Sequence, residues 1–143
     1  MADVHDPKVR SYNMSQIKGK DTKPEMLVRN FLHSHGFRYK LHDKKLLGKP
    51  DIVLPKYKTV IEVQGCYWHG HHGCKYFKLT KSNTDFWKEK IGRNIERDTI
   101  NHKKLKQNGW AVLIIWECEL RPSRIKDTLN LSLLESIRTN SWL

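Results

Sequence analysis

The feature that most constrains the fold is a continuous apolar run at residues 111–116, Ala-Val-Leu-Ile-Ile-Trp. A run of this length without polar alternation is typical of a central strand that is buried on both faces. Such a strand needs helices on both sides of its sheet, which indicates a layered α/β domain. The 143 residues and the hydrophobic fraction of 38% suffice for one packed core and exclude a disordered chain.

Hydrophobic periodicity and turn signals predict the other elements. Thr22 and Glu25 fit the capping box of a first helix, and Gly36 is its expected end. The further expected elements are strands at 37–41, 51–54 and 59–63, a turn at 55–58, a long helix at 84–107 and a last helix from Pro122. The order helix, three strands, helix, strand, helix predicts an α/β fold with a mixed central sheet flanked by helices.

The chain carries a large positive charge, because 27 Lys and Arg stand against 15 Asp and Glu to give a net charge of +12. Nucleic acid is the expected partner, since Lys and Arg neutralise phosphates, and a membrane surface is the rival polyanion. No apolar run approaches the ~20 residues of a spanning helix, and residues 1–20 lack the apolar segment of a signal peptide. We therefore expect a cytoplasmic protein, with residues 1–20 as a flexible polar arm and residues 21–143 as the folded domain.

Cysteine and histidine are concentrated in the segment from Cys66 to Cys74, which holds two cysteines and three histidines in nine residues. Cys118 follows the apolar strand and could return to the same place. Zinc favours four tetrahedral ligands of these types, and a closed set is structural. The expected site joins the three cysteines to His71 or His72, which the spacing does not separate. The alternative is a set of unrelated buried thiols and surface histidines.

Two carboxylates are expected at one end of the predicted hairpin, because Asp51 opens one strand and Glu62 lies near the end of the next. Such a pair could hold Mg²⁺ against a phosphodiester. The alternative is a pair of solvated carboxylates at a sheet edge.

A third carboxylate, Asp98, falls with His102 on the apolar stripe of the long helix. A carboxylate there needs a partner, and His69 in the preceding loop is the candidate. The pair could serve acid–base chemistry or only satisfy a buried hydrogen bond.

Aromatic side chains accompany lysines on both sides of residue 80. Tyr67 and Trp68 lie in the histidine-rich loop, and Phe86 and Trp87 open the long helix. Lysines can hold phosphates while aromatic rings stack on bases or wedge between them. The alternative is that Phe86 or Trp87 belongs to the core.

These residues together resemble the Vsr family, the very short patch repair endonucleases. The resemblance covers nearly the whole chain to about residue 121. The matching segments are residues 1–6, Met14, Asp21-Thr22 with Glu25, Lys49-Pro50-Asp51, 65–71, 86–91, Asn94, 96–98, Gly109-Trp110 and 116–118.

The resemblance implies a restriction-endonuclease-like fold and a DNA endonuclease that acts in mismatch repair. Members of the family nick one strand 5′ to the thymine of a T:G mismatch that arises from deamination of 5-methylcytosine. The implied partner is double-stranded DNA containing a mismatch, and no membrane is involved. We expect a monomer associated with the nucleoid, with DNA repair proteins as candidate partners.

The resemblance also implies roles for single residues. Asp51 would bind Mg²⁺ with the backbone carbonyl of Val63, and Glu25 would join the water and metal network. His69 would be the acid–base residue, oriented by Asp98. The implied ligands of structural Zn²⁺ are Cys66, His71, Cys74 and Cys118. The implied DNA contacts are a wedge of Tyr67, Trp68 and Trp87 from the major groove and Met14 from the minor groove.

The chain departs from the family pattern at Glu62-Val63-Gln64, which is closer to the Asp…Glu-x-Lys pattern of restriction enzymes. Glu62 is therefore a candidate Mg²⁺ ligand and catalytic residue. This departure motivates one alternative function, a restriction-type endonuclease that cleaves intact duplex DNA. A second alternative is a zinc-braced DNA-binding protein without catalysis, for which the charge and the metal loop would suffice.

Overall fold

The computed structural model describes residues 22–67, 69–71, 73–74 and 84–139. The helices are α1 (Lys23–Ser34), α2 (Thr84–Gln107), α3 (Ile125–Thr128) and α4 (Leu131–Thr139). The strands are β1 (Lys40–Leu41), β2 (Ile52–Leu54), β3 (Thr59–Gln64) and β4 (Ala111–Trp116). Single 3₁₀ turns follow β2 at Pro55–Tyr57 and β4 at Glu117–Leu120.

The strands form one mixed sheet in the order β1-β2-β3-β4. β1 and β3 both pair antiparallel with β2, and β4 pairs parallel with β3. The predicted hairpin is confirmed, with Ile52 opposite Ile61 and a tight turn in which Lys58 adopts φ 50°. The helix α2 makes the crossover between the parallel strands β3 and β4, as such a connection requires. The predicted α/β class with helices around a mixed sheet is therefore confirmed.

The predicted central place of residues 111–116 is wrong for the part of the sheet that the structure describes. β4 stands last in the strand order, and of its residues only Ala111 and Ile115 are fully buried. β3 is the more deeply buried inner strand. An apolar run reports burial on two faces, which helices can give to a strand at the end of the order as well as to a central one.

The core lies on both faces of the sheet, as the side-chain alternation of β3 dictates. Ile61 packs on one face in a cluster that includes Leu32 of α1 and Ile137 of α4. Val60 packs on the other face with Leu105 of α2. Each such buried side chain contributes about 1.5–3 kcal/mol. Glu62 is two residues after Val60 on β3, so its side chain lies on the same face of the sheet as α2.

Two predicted elements have different bounds. The strand expected at 37–41 is reduced to Lys40–Leu41, and Phe37 turns into the core instead. The last helix is divided into α3 and α4, because Leu129 is extended at φ −98° and ψ 96°. The Asn130 side chain then caps α4 by accepting a hydrogen bond from the Leu133 N–H at 3.0 Å.

A membrane-spanning helix is not found among the described residues, none of whose helices combines the necessary length and apolar character.

Candidate active site and metal centre

Asp51 lies at the end of the β2–β3 hairpin, immediately before β2. Its Oδ2 accepts a hydrogen bond from the Val63 N–H at 2.9 Å, which brings the carboxylate next to the main chain of Val63. The pKa of Asp51 is raised to about 6, mainly by burial and in smaller part by the nearby carboxylates of Glu25 and Glu62. The Val63 hydrogen bond and His42 act in the opposite direction. The site therefore favours a cation that would relieve the buried charge.

Glu25 comes to the same place from α1. Thr22 caps this helix by accepting a hydrogen bond from the Glu25 N–H at 3.4 Å, so the predicted cap is present. The Glu25 side chain is turned away from the cap and is only 3% exposed. Its Oε2 lies 3.2 Å from Arg29 Nη1 and 3.2 Å from His42 Nε2. A buried carboxylate that is held in this way is positioned for a cation beside Asp51.

His42 is the member of this group that the sequence analysis missed. One ligand atom each from Glu25, His42 and Asp51 lie within 4.8 Å of one another. The strand register explains the proximity, because Leu41 pairs with Ile52 and the next residues outward are His42 and Asp51. This signal could have been used only if the pairing of β1 with β2 had been known in advance.

Glu62 is close enough to act on Asp51 but makes its hydrogen bonds elsewhere. Because side chains alternate along β3, Glu62 points towards α2, where His102 Nε2 donates to its Oε2. Gln64 Nε2 donates to the same oxygen at 3.2 Å. The hydrogen bond to Glu62 raises the pKa of His102. The structure thus pairs Glu62 with a histidine of α2, whereas the sequence suggested a direct ligand beside Asp51.

His69 and Asp98 are in contact, as the stripe on α2 predicted. His69 Nδ1 donates to Asp98 Oδ2 at 2.6 Å, and the two side chains are 31% and 21% exposed. They line a cavity of about 300 Å³ together with Gln64 and His102. With Nδ1 turned to Asp98, the neutral ring has its lone pair on Nε2. This arrangement suits an acid–base residue.

Gly70 allows the loop to approach α2 closely enough for this contact. It adopts φ +58°, and a Cβ at this position would lie 2.6 Å from Cδ1 of Ile95. Only glycine accepts both the left-handed backbone and the contact with α2. The sequence therefore positions His69 partly through the residue that follows it.

The predicted cysteine and histidine cluster is assembled. One ligand atom each from Cys66, His71, Cys74 and Cys118 lie within 4.8 Å of one another. None of the three cysteines is in a disulfide, and burial raises the pKa of the Cys66 thiol to about 12. Three thiols and one imidazole at this separation fit a tetrahedral metal ion. His72, the alternative ligand, lies outside the described residues.

Neighbouring contacts support the cluster. The His71 ring stacks on Trp116 with centroids 4.0 Å apart and planes 4° from parallel. The His71 N–H donates to the Cys66 carbonyl oxygen at 2.9 Å, and the Cys74 N–H donates to the His71 carbonyl oxygen at 3.2 Å. These bonds fold the loop onto itself, so its shape is defined by the same residues that would bind the ion.

The predicted aromatic wedge is described only in part. The rings of Tyr67 and Trp87 meet edge to face with centroids 5.9 Å apart. Phe86 lies against Trp87 and is 57% exposed, so it is not a core residue. Trp68 and Met14 lie outside the described residues.

Comparison with known proteins places this chain in a family. The family's sequence model, described as DNA mismatch endonuclease Vsr, matches residues 2–75. The DNA mismatch endonuclease Vsr of Escherichia coli is 46% identical over 121 residues, which are 85% of this chain and 77% of that protein. The chain belongs to the Vsr DNA mismatch endonuclease family.

A second relative shares a higher sequence identity with this chain than the Escherichia coli protein does. The type II nicking enzyme V.NmeAIP of Neisseria meningitidis is 50% identical over 131 residues, which are 91% of this chain and 93% of the relative. As a member of the Vsr family the chain is a DNA endonuclease, and the alternative of a non-catalytic DNA-binding protein is wrong.

The fold also has a counterpart among solved structures. The catalytic domain of the homing endonuclease I-Bth0305I superposes with a TM-score of 0.54 at 21% identity, over 84% of this chain and 97% of that domain. At this identity the likeness concerns the fold alone, and it agrees with a restriction-endonuclease-like arrangement.

Proposed function

We propose that this Vsr-family endonuclease nicks one strand of duplex DNA 5′ to the thymine of a T:G mismatch, with Mg²⁺ as the catalytic ion. One observation carries the proposal, namely that the buried carboxylate of Glu25 and the partly buried carboxylate of Asp51 meet at the end of the β2–β3 hairpin in a chain of this family. The name of the Escherichia coli relative, DNA mismatch endonuclease, supports a mismatch as the substrate. The names of the nicking enzymes among the relatives support cleavage of one strand.

The residues at the acidic site fit a hard divalent cation. Carboxylate oxygens and main-chain carbonyls are the protein ligands that Mg²⁺ accepts, with water and substrate phosphate for the rest. Asp51, Glu25 and the carbonyl of Val63 would hold the ion. When bound, Mg²⁺ supplies Lewis-acid stabilisation of the phosphate oxygens.

His69 and Asp98 would manage the proton that hydrolysis moves. Nε2 of His69 accepts a proton from the attacking water or returns one to the leaving oxygen. Asp98 accepts the Nδ1–H of His69, which keeps the lone pair on Nε2 between turnovers. During the reaction the same carboxylate would stabilise the imidazolium that forms.

A zinc ion held by Cys66, His71, Cys74 and Cys118 would keep this loop in place. The proposed role is structural, because four protein ligands leave no open position for substrate. The loop between Cys66 and His71 contains His69, so the closed site restrains the acid–base residue from both sides.

DNA binding is supported by charge and by the aromatic pair. A groove of about 760 Å³ between residues 44–49 and the end of α2 is lined by Lys44, Lys45, Lys49 and Lys104. Lys49 on the wall of this groove is two residues before Asp51 in the sequence, and the four lysines would attract the phosphates of DNA. Tyr67 and Trp87 would contact the mismatched pair. The remaining proposed contacts, Trp68 and Met14 of the 1–20 arm, come from the family resemblance, as do a monomeric state and repair proteins as partners.

Strand-specific nicking of labelled duplexes tests the proposal. A T:G duplex, a U:G duplex and a fully paired duplex are incubated with enzyme and Mg²⁺ in several sequence contexts. We expect a single nick 5′ to the mismatched thymine. Asp51→Asn should remove most of this activity, because it removes the negative charge that would hold the ion, and it should leave DNA binding intact.

Asp127→Asn is the matched control, since it neutralises an exposed carboxylate on α3, away from the site. Equal cutting of both strands of the paired duplex would favour the restriction-type alternative. The contact of Glu62 with His102 supports the nicking proposal over that alternative, which was motivated by Glu62 as a metal ligand. Undiminished nicking by Asp51→Asn would rule out the proposed centre.

A further inference from the structure

His42 occupies a strained position beside the acidic site. Its backbone adopts φ 49°, in the left-handed region that residues other than glycine visit rarely. Such a conformation costs of order 1–3 kcal/mol and persists where surrounding contacts impose it. One contact that does so is the hydrogen bond from the His42 N–H to the Asp51 carbonyl oxygen at 3.1 Å. The same two residues are therefore joined through both main chain and side chain.

The imidazole of His42 lies between the two carboxylates. Nε2 is 3.2 Å from Glu25 Oε2, and Nδ1 is 3.8 Å from Asp51 Oδ1. The His42 side chain is 23% exposed, close to the 24% of Asp51. One nitrogen of the ring and one oxygen of each acid fall within the 4.8 Å that a shared ion could span. The ring thus supplies a nitrogen donor to a set that otherwise contains only oxygen.

The chemistry of this donor set bears on which ion binds best. Mg²⁺ prefers oxygen ligands in a strict octahedron and dehydrates reluctantly. Imidazole nitrogen suits first-row transition cations, a series to which Mn²⁺ belongs, and Mn²⁺ shares with Mg²⁺ the preference for carboxylate oxygen. A site with two carboxylates and one imidazole should therefore discriminate between ions that an all-oxygen site would treat more alike.

We propose that His42 is a direct ligand of the divalent cation held by Glu25 and Asp51, and that it makes the site bind Mn²⁺ more tightly than Mg²⁺. The identity of this centre as the catalytic one rests on the proposed function, whereas the ligand set does not. The alternative role for His42 is that of a positively charged side chain that only bridges the carboxylates of Glu25 and Asp51. In that role its loss would change the binding of every divalent ion alike.

Manganese binding by the zinc-loaded, full-length protein without DNA tests the inference. The electron paramagnetic resonance signal of free Mn²⁺ gives its affinity, and competition gives that of Mg²⁺. His42→Gln retains an oxygen donor on a flexible side chain and removes the nitrogen. We expect it to weaken Mn²⁺ binding about tenfold or more while the affinity for Mg²⁺ changes little.

Electron spin-echo modulation adds a readout that does not depend on activity. The wild-type Mn²⁺ complex should show a directly coordinated ¹⁴N, which His42→Gln should lose. His33→Gln, which removes an exposed histidine of α1, should leave both affinity and spectrum unchanged. His69→Gln should also retain the nitrogen signal, so the test stands even if His42→Gln does not fold.

A wild-type spectrum without coordinated nitrogen would overturn the inference, as would loss of the signal in His69→Gln. Equal weakening of Mn²⁺ and Mg²⁺ in His42→Gln would favour the bridging cation instead. Failure of the proposed function is a different result, since a protein that nicks no duplex could still show the nitrogen signal. A protein that nicks T:G duplexes without that signal would lose only the ligand role of His42.

Discussion

Replacement of Asp98 by Asn probes the contact with His69 on which the proposed acid–base chemistry depends. The substitution keeps the size of the side chain but removes the charge that faces His69 Nδ1 at 2.6 Å. A hydrogen bond to a charged group contributes about 1.5–3 kcal/mol. If the transition state uses this contact, the rate of nicking should fall about 10- to 150-fold. The amide can also donate to Nδ1, which would place the ring proton on Nε2 and increase the loss.

The assay is single-turnover nicking of a T:G duplex with enzyme in excess, so that product release does not limit the rate. DNA affinity is measured separately by gel shift without Mg²⁺, and we expect it to be unchanged. Glu96→Gln is the matched control, because it removes one negative charge from an exposed position two residues earlier on α2. Thermal unfolding of both variants shows whether either substitution disturbs the fold.

Nicking by Asp98→Asn at the rate of Glu96→Gln would refute the reasoning, since His69 would then act without a carboxylate behind it. A loss that appears entirely in DNA affinity would refute it too, because the contact would then serve binding rather than proton transfer. A fall in rate with unchanged affinity and stability is the only outcome that agrees with the proposed role.

Three other perturbations test the surrounding structure. Cys118→Ser should abolish retention of zinc, measured by atomic emission, and lower the melting temperature; full metal content would contradict the site. Gly70→Ala should cost about 1–3 kcal/mol in chemical denaturation, because φ is +58° and the new Cβ meets Ile95, and unchanged stability would count against the close approach. The hydrogen bond to Glu62 raises the pKa of His102 above the 6.5 of an unfolded chain. The contribution of this contact to the free energy of unfolding is therefore complete below pH 6.5 and declines as the pH rises through the raised pKa. Urea titrations of wild type and His102→Gln should therefore converge as the pH rises, and a constant difference would disprove the linkage.

Local spacing was sufficient to predict part of the site. Cys66, His71 and Cys74 lie in one short loop, so their proximity hardly depends on the rest of the fold. The 3.6-residue period of α2 placed Asp98 on the stripe that faces the sheet. The histidine-rich loop before α2 contains His69, which was therefore the candidate partner. These predictions required a helix and a loop but no knowledge of strand register.

Other parts of the site depend on contacts that the sequence does not encode locally. The meeting of His42 with Asp51 follows from the pairing of Leu41 with Ile52, and β1 is only two residues long. A strand this short leaves no periodic signal, so its register could not be predicted. The contact of Glu62 with His102 was not predicted for a related reason, because the restriction-enzyme pattern gave a position in sequence but not a face of the sheet.

The place of β4 in the sheet and the break in the last helix were both predicted incorrectly, because an apolar pattern reports burial and not the position or end of an element. An apolar run does not distinguish an inner strand from one at the end of the order, because α2 and the opposite helices cover both faces of the sheet. The break at Leu129 was hidden because apolar residues continue at helical spacing on both sides of it. Asn130 gave the available signal, since its side chain is a strong N-cap.

The parallel pairing of β3 with β4 explains why the cysteine and histidine cluster lies beside the His69–Asp98 pair. Gln64 pairs with Trp116, so Cys66 and Cys118 each stand two residues beyond the ends of neighbouring strands that run in the same direction. The crossover between those strands is α2, which must run back along the sheet and thereby carries Asp98 to the loop that begins at Cys66. The proposed ion between Cys66 and Cys118 would therefore fix the β3–β4 register and the position of His69 against α2 together. Loss of zinc should for this reason impair proton transfer before it unfolds the sheet.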